Sequence, residues 1–140
     1  MGFGLTALLP ILLKIVLSPE SLLMIEEPES NLHPNFQAKL ADLFVLAQKT
    51  FGIRFILETH SEYLIRRLQI LTALKEHEYH LETDETALYY FYPPDEVPRG
   101  KEQVSRIHIL EDGRLDKPFG SQFLDMSDEQ MMDLYDVMED

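Results

Sequence analysis

The sequence contains no cysteine and no tryptophan. The missing cysteine excludes a disulfide scaffold, a thiolate metal site and a cysteine nucleophile, and it fits a reducing, cytoplasmic setting. Basic residues are scarce: 12 stand against 25 acidic ones in 140 residues, a formal net charge of −13. A chain this acidic repels phosphate backbones, which disfavours direct nucleic-acid binding through a broad basic face. No long hydrophobic run is present either. Phe3 to Leu17 is almost wholly apolar but is broken by Pro10 and Lys14, and a membrane span needs about 20 apolar residues. The start lacks the basic segment of a signal peptide, and Ser18-Pro19-Glu20 makes a poor cleavage site. Gly2 with Thr6 fits the loose myristoylation pattern, yet a buried helix is the preferred reading, with no membrane partner.

The remaining composition is that of an ordinary globular chain, 45% hydrophobic and 26% charged, and the length suits one domain with one core. The acid is concentrated at the end. Residues 111 to 140 hold 10 acidic and 2 basic side chains, net −8, against net −5 for the first 110. That segment closes with a capping box at Ser127-Asp128-Glu129-Gln130, followed by Met131, Leu134, Tyr135 and Met138 at helical spacing.

The periodicity predicts helix over 5–17, a strand buried on both faces over 21–26, and a helix from Pro34 to Phe51 stopped by Gly52. Phe36, Leu40, Leu43, Phe44, Ala47 and Phe51 mark its apolar face. A second buried strand covers Ile53 to Leu57. Ser61 then caps a helix bearing Leu64, Leu68 and Leu71. Strands alternating with helices imply right-handed crossovers and a parallel sheet. Residues 75 to 85 read as a loop, and strands over 87–92 and 104–110 pair as an antiparallel edge. The fold class is thus α/β, mostly parallel with flanking helices.

Ligands of open parallel sheets bind beyond the carboxyl ends of the strands. There the first strand ends in Glu26-Glu27-Pro28-Glu29 and the second in Glu58-Thr59-His60-Ser61. Adjacent strands would hold these groups about 5–10 Å apart. Clustered carboxylates need compensation, and a divalent cation is the simplest. A hydrophobic strand ending in two acids is the Walker B arrangement of P-loop nucleoside triphosphatases. One acid holds magnesium and the next polarises the attacking water. The bland readings are a solvated strand end for the acids and a capping or core histidine for His60. His33 reads as a residue preceding a helix, and His77, His80 and His108 as surface or packing residues without metal spacing.

The stretch from Leu22 to Pro34, Leu-Leu-Met-Ile-Glu-Glu-Pro-Glu-Ser-Asn-Leu-His-Pro, resembles the Walker B and D-loop of ABC-type ATPases. It is most similar to the RecF, SMC and OLD-like branch, which includes AAA-type ATPases of bacterial defence and DNA-repair systems. Ile56 to Ser61 resembles that branch's switch-histidine loop. Gly2-Phe3-Gly4-Leu5-Thr6 resembles its degenerate signature motif, with Thr6 where serine is usual and Ala7 where glutamine is common.

The resemblance implies ATP and Mg²⁺ as cofactors. Glu26 would serve the metal, Glu27 the attacking water and His60 the γ-phosphate. Gly4 and Thr6 would touch the ATP of the opposite subunit, and Ser30 and Asn31 would lie at a homodimer interface closed around ATP. No Gly-x-x-x-x-Gly-Lys-Ser/Thr loop occurs in the sequence, and that loop cradles the phosphates. Residues 1–140 therefore read as the C-terminal part of one ABC-type ATPase domain, a partial P-loop NTPase sheet. An upstream P-loop half is the implied partner, and the isolated chain is expected to be inactive. An effector or nuclease partner would carry the output. The competing functions are a non-catalytic interaction fragment and a metal-dependent nuclease using the same carboxylates, the latter weakened by the lack of a basic surface.

Overall fold

A computed structural model describes residues 3–119. The capping box at Ser127 and the apolar positions after it lie outside the described residues, as does Gly2. The elements run α1 (Phe3–Leu17), β1 (Leu22–Glu26), α2 (Pro34–Phe51), β2 (Arg54–Glu58), α3 (Glu62–Ala73), β3 (Leu88–Phe91) and β4 (Val104–Ile107). The chain divides into two compact units, Met1–Arg67 and Leu68–Asp140. The class is α/β, as the alternation of elements predicts. No helix among the described residues is long and apolar enough to cross a membrane.

In the first unit β1 and β2 pair in parallel, with Leu22 beside Arg54 and Glu26 beside Glu58. Parallel strands need a crossover, and α2 supplies it. His33 caps this helix by accepting the Asn35 N–H at 3.4 Å, Pro34 takes the first turn, and Gly52 stops it in the left-handed region at φ 64°. Gly52 is suited to that role because a Cβ there is strained.

Ile15, Ala47 and Ile53 form the buried centre of this unit, with Ile11, Leu23, Leu43 and Phe55 packed against it. Phe44 and Phe55 stack with ring centroids 4.8 Å apart. Arg67 is buried and pairs with Asp42 at 2.8 Å.

Three expectations of burial are corrected here. Neither strand is covered on both faces: Leu22, Met24 and Ile56 are exposed, Met24 by 75%, while Leu23, Ile25 and Phe55 are half-buried. A single helical layer covers one face of a two-stranded sheet, so alternate residues point away from the core. Helix α1 extends from Phe3 through Pro10, but it is buried only at Ile15. Leu9, Leu12, Leu13, Val16 and Leu17 face outward. On α2 the buried residues are Ala38, Leu40, Ala41, Phe44, Val45 and Ala47. The expected core positions Phe36 and Phe51 are exposed instead, because small alanines line the contact face and the bulky ends fall beyond it.

In the second unit β3 and β4 pair antiparallel, Leu88 beside Ile107 and Phe91 beside Val104. They form a separate two-stranded sheet rather than an edge of the β1–β2 pair. The strand expected to reach Leu110 ends at Ile107, and Ile109 continues as an isolated bridge to Leu115. The turn between them places Gly113 at φ 79°, and the Gln69 amide donates to the Gly113 carbonyl at 2.8 Å.

Candidate functional site

The parallel register sets both strand tips at one end of the β1–β2 pair. Glu26 and Glu58 are register partners, and both are exposed. The pairing continues one step beyond the strand, where the Glu27 N–H donates to the Glu58 carbonyl at 2.8 Å. Glu27 itself leaves the strand in the left-handed region, at φ 43°. That conformation costs a non-glycine residue about 1–2 kcal/mol, and strain of this kind concentrates at functional sites.

Two short turns follow. The Ser30 N–H donates to the Glu27 carbonyl and the Leu32 N–H to the Glu29 carbonyl, each at 3.0 Å. Pro28 is buried at the start of this turn, and Asn31 takes the left-handed conformation at φ 65°, which asparagine tolerates better than most residues. The Ser30 hydroxyl donates to Glu27 Oε2 at 3.0 Å. Across the sheet, His60 Nε2 lies 3.8 Å from Glu27 Oε1, with the side chains 74% and 56% exposed. Ser61 caps α3, accepting the Leu64 N–H on its hydroxyl at 3.1 Å.

The structure therefore gathers Glu26, Glu27, Ser30 and His60 around the two tips, with Asn31 exposed on the adjoining turn. Gly4 and Thr6 lie in the first turn of α1, Thr6 exposed. Two participants escaped the sequence reading. Glu29 accepts the His60 backbone N–H at 2.7 Å. Gln37 of α2 accepts the Ser61 hydroxyl at 2.7 Å and donates to the Leu32 carbonyl at 2.9 Å. Their signal was an extra acid after Pro28 and a polar residue in the first turn of an otherwise apolar helix face, neither of which reveals a long-range partner.

Chemically, the tips offer hard carboxylate oxygens open to solvent beside an imidazole. Among the described residues no group of three His, Cys, Asp or Glu is arranged to hold a metal ion. Magnesium bound with a nucleotide needs only one or two carboxylates, the phosphates and water supplying the rest, and the Glu26–Glu58 pair fits that demand. A nuclease using protein carboxylates alone needs more than this pair offers.

Residues 1–66 match the family described as "AAA domain, putative AbiEii toxin, Type IV TA system". The matched segment ends one residue before the first compact unit does, and it contains every candidate residue named above. No curated protein and no solved structure matches the chain. The family match supports a P-loop ATPase type for residues 1–66, in keeping with the partial α/β P-loop architecture of the first unit.

Proposed function

We propose that this chain supplies the hydrolytic half of an ABC-type ATPase of the RecF, SMC and OLD-like branch, with ATP and Mg²⁺ as cofactors. The observation that supports it most is the approach of Glu27 and His60, 3.8 Å apart at the tips of two parallel strands. Glu27 orients and polarises the attacking water, and its carboxylate is steadied for this by the Ser30 hydroxyl at 3.0 Å. His60, largely exposed, reaches toward the γ-phosphate. Glu26 is the residue that would hold magnesium, with Glu58 beside it. The metal would supply neutralisation of phosphate charge. Gly4 and Thr6 would meet the ATP of a second subunit, and Ser30 and Asn31 would border the homodimer interface.

The partner is a polypeptide bearing the phosphate-binding loop that this sequence does not contain. The exposed apolar faces of α1 (Leu9, Leu13, Val16, Leu17) and of the sheet (Leu22, Met24, Ile56) favour such a partner, since contiguous apolar surface marks interaction sites.

The test is ATP turnover by the purified chain alone and with a P-loop-bearing polypeptide added. The expected result is none alone and magnesium-dependent turnover with it. Turnover by the chain alone that survives Glu27→Gln would remove the proposal.

A further inference from the structure

The roles proposed above leave out the third acid of the first tip. Glu29 is only 8% exposed. Its Oε1 accepts the His60 N–H at 2.7 Å, and its Oε2 is buried without a hydrogen-bond partner. A carboxylate so placed is costly, so a loop that needed only an acceptor would be held more cheaply by a neutral one. What the charge adds is strength: a hydrogen bond to an ionised acceptor is roughly twice as strong as a neutral one.

The grip is reinforced next door. Gln37 joins the Ser61 hydroxyl to the Leu32 carbonyl, and the Ser61 N–H is turned onto the Thr59 hydroxyl at 3.0 Å. Two consecutive residues after β2 are thus held by side chains rooted in the turn after β1 and in α2. The imidazole of His60 takes no part in the grip. It stands 74% exposed, facing Glu27.

We infer that Glu29 is the positioning residue of the Glu27–His60 pair, its buried carboxylate fixing the His60 backbone so that the imidazole keeps its place beside Glu27. The inference rests on the ATPase reading for its consequence in catalysis, but the clamp itself is a property of the chain alone. Its effect on rate follows from preorganisation, since a displacement near 1 Å at a reacting centre can cost about 100-fold.

The test has two arms. In the full chain, amide hydrogen exchange and ¹⁵N relaxation are read at His60. The wild-type amide is expected to be protected and rigid, with an order parameter of about 0.85. Glu29→Ala should speed exchange at His60 by about 10- to 100-fold, the worth of a hydrogen bond to a charged group, with little change at Ile15 or Ile53. Glu29→Gln, which keeps shape and an acceptor, should recover most of the protection. It also serves as the measurement should Glu29→Ala not fold, a several-fold acceleration confined to His60 and Ser61 being expected.

In the second arm, turnover is measured with the P-loop-bearing polypeptide. Glu29→Ala should lower kcat by about 10- to 100-fold with the KM for ATP nearly unchanged, and Glu29→Gln should restore most of it. Unchanged exchange at His60, or acceleration spread evenly over the first unit, overturns the clamp. Lost protection with full kcat overturns the positioning role while the ATPase reading stands. The ATPase reading fails separately if Glu27→Gln leaves turnover intact.

Discussion

His60 Nε2 lies 3.8 Å from Glu27 Oε1, although neither residue belongs to a strand. The contact exists because β1 and β2 run parallel and in register to their last residues, Glu26 beside Glu58, so that the two chain exits leave from the same end. Both side chains stay accessible, which a group acting on a bound substrate requires.

The second exit is held by Ser61, which accepts the Leu64 N–H and donates to Gln37. Ser61→Ala removes a helix cap, about 1–2 kcal/mol, and leaves the half-buried Gln37 oxygen without that donor. A loss of about 2–3 kcal/mol in urea unfolding is expected, with the slope unchanged. Ser61→Thr should recover most of it. A loss under about 0.5 kcal/mol would mean that the cap is not holding the loop.

Much of this was legible in the sequence. Pro34 and Gly52 bracket α2 to the residue, because a proline at the first turn and a left-handed glycine after the last are backbone signals that need no tertiary context. The capping role of Ser61 and the adjacency of the two acidic tips followed from the same local chemistry and from the parallel alternation. Burial was less legible. Ile53 reads like its neighbour Ile56, yet Ile53 is fully buried against Ile15 and Ala47 while Ile56 is exposed. Which face of a continuous apolar strand is covered depends on how many layers pack on it, and strand composition carries no count of layers. The Glu29 clamp was invisible because its partner is a backbone amide, which every residue but proline has.

In the second unit, a Cβ at Gly113 would lie 2.6 Å from the Gln69 carbonyl oxygen and 3.1 Å from Ala73 Cβ. Gly113→Ala combines this overlap with a left-handed backbone and should cost about 2–4 kcal/mol. Gly100 has a similar φ of 76° but nothing within 4 Å, so Gly100→Ala should cost only about 1–2 kcal/mol. Thermal melts of the two variants compare them directly. Equal losses would show that the close approach to Gln69 is not maintained.

Acid should loosen the end of this unit through Asp116. Its carboxyl lies below the ordinary aspartate range, chiefly because Oδ1 accepts the His108 N–H at 2.8 Å and secondarily because Oδ2 meets the His108 ring at 2.9 Å. A carboxyl depressed in the folded state contributes stability that is present above its unfolded pKa, about 3.9. That stability is lost as pH falls through the lower folded value. Unfolding free energy measured from pH 6 downward should therefore drop below about pH 4 more steeply in the wild type than in Asp116→Asn. Identical slopes would remove the role given to this contact.

The account as a whole turns on the two acids at the end of β1. With a P-loop-bearing polypeptide present, Glu26→Gln should raise the magnesium concentration needed for turnover. Glu27→Gln keeps the size of the side chain and its hydrogen bond from Ser30 but removes the charge that polarises water, and ATP and magnesium should still bind. The most direct measurement is the ATP turnover rate of Glu27→Gln at saturating magnesium. The account predicts a fall of about 100- to 10,000-fold with the nucleotide-bound dimer accumulating, and turnover at the wild-type rate would contradict it.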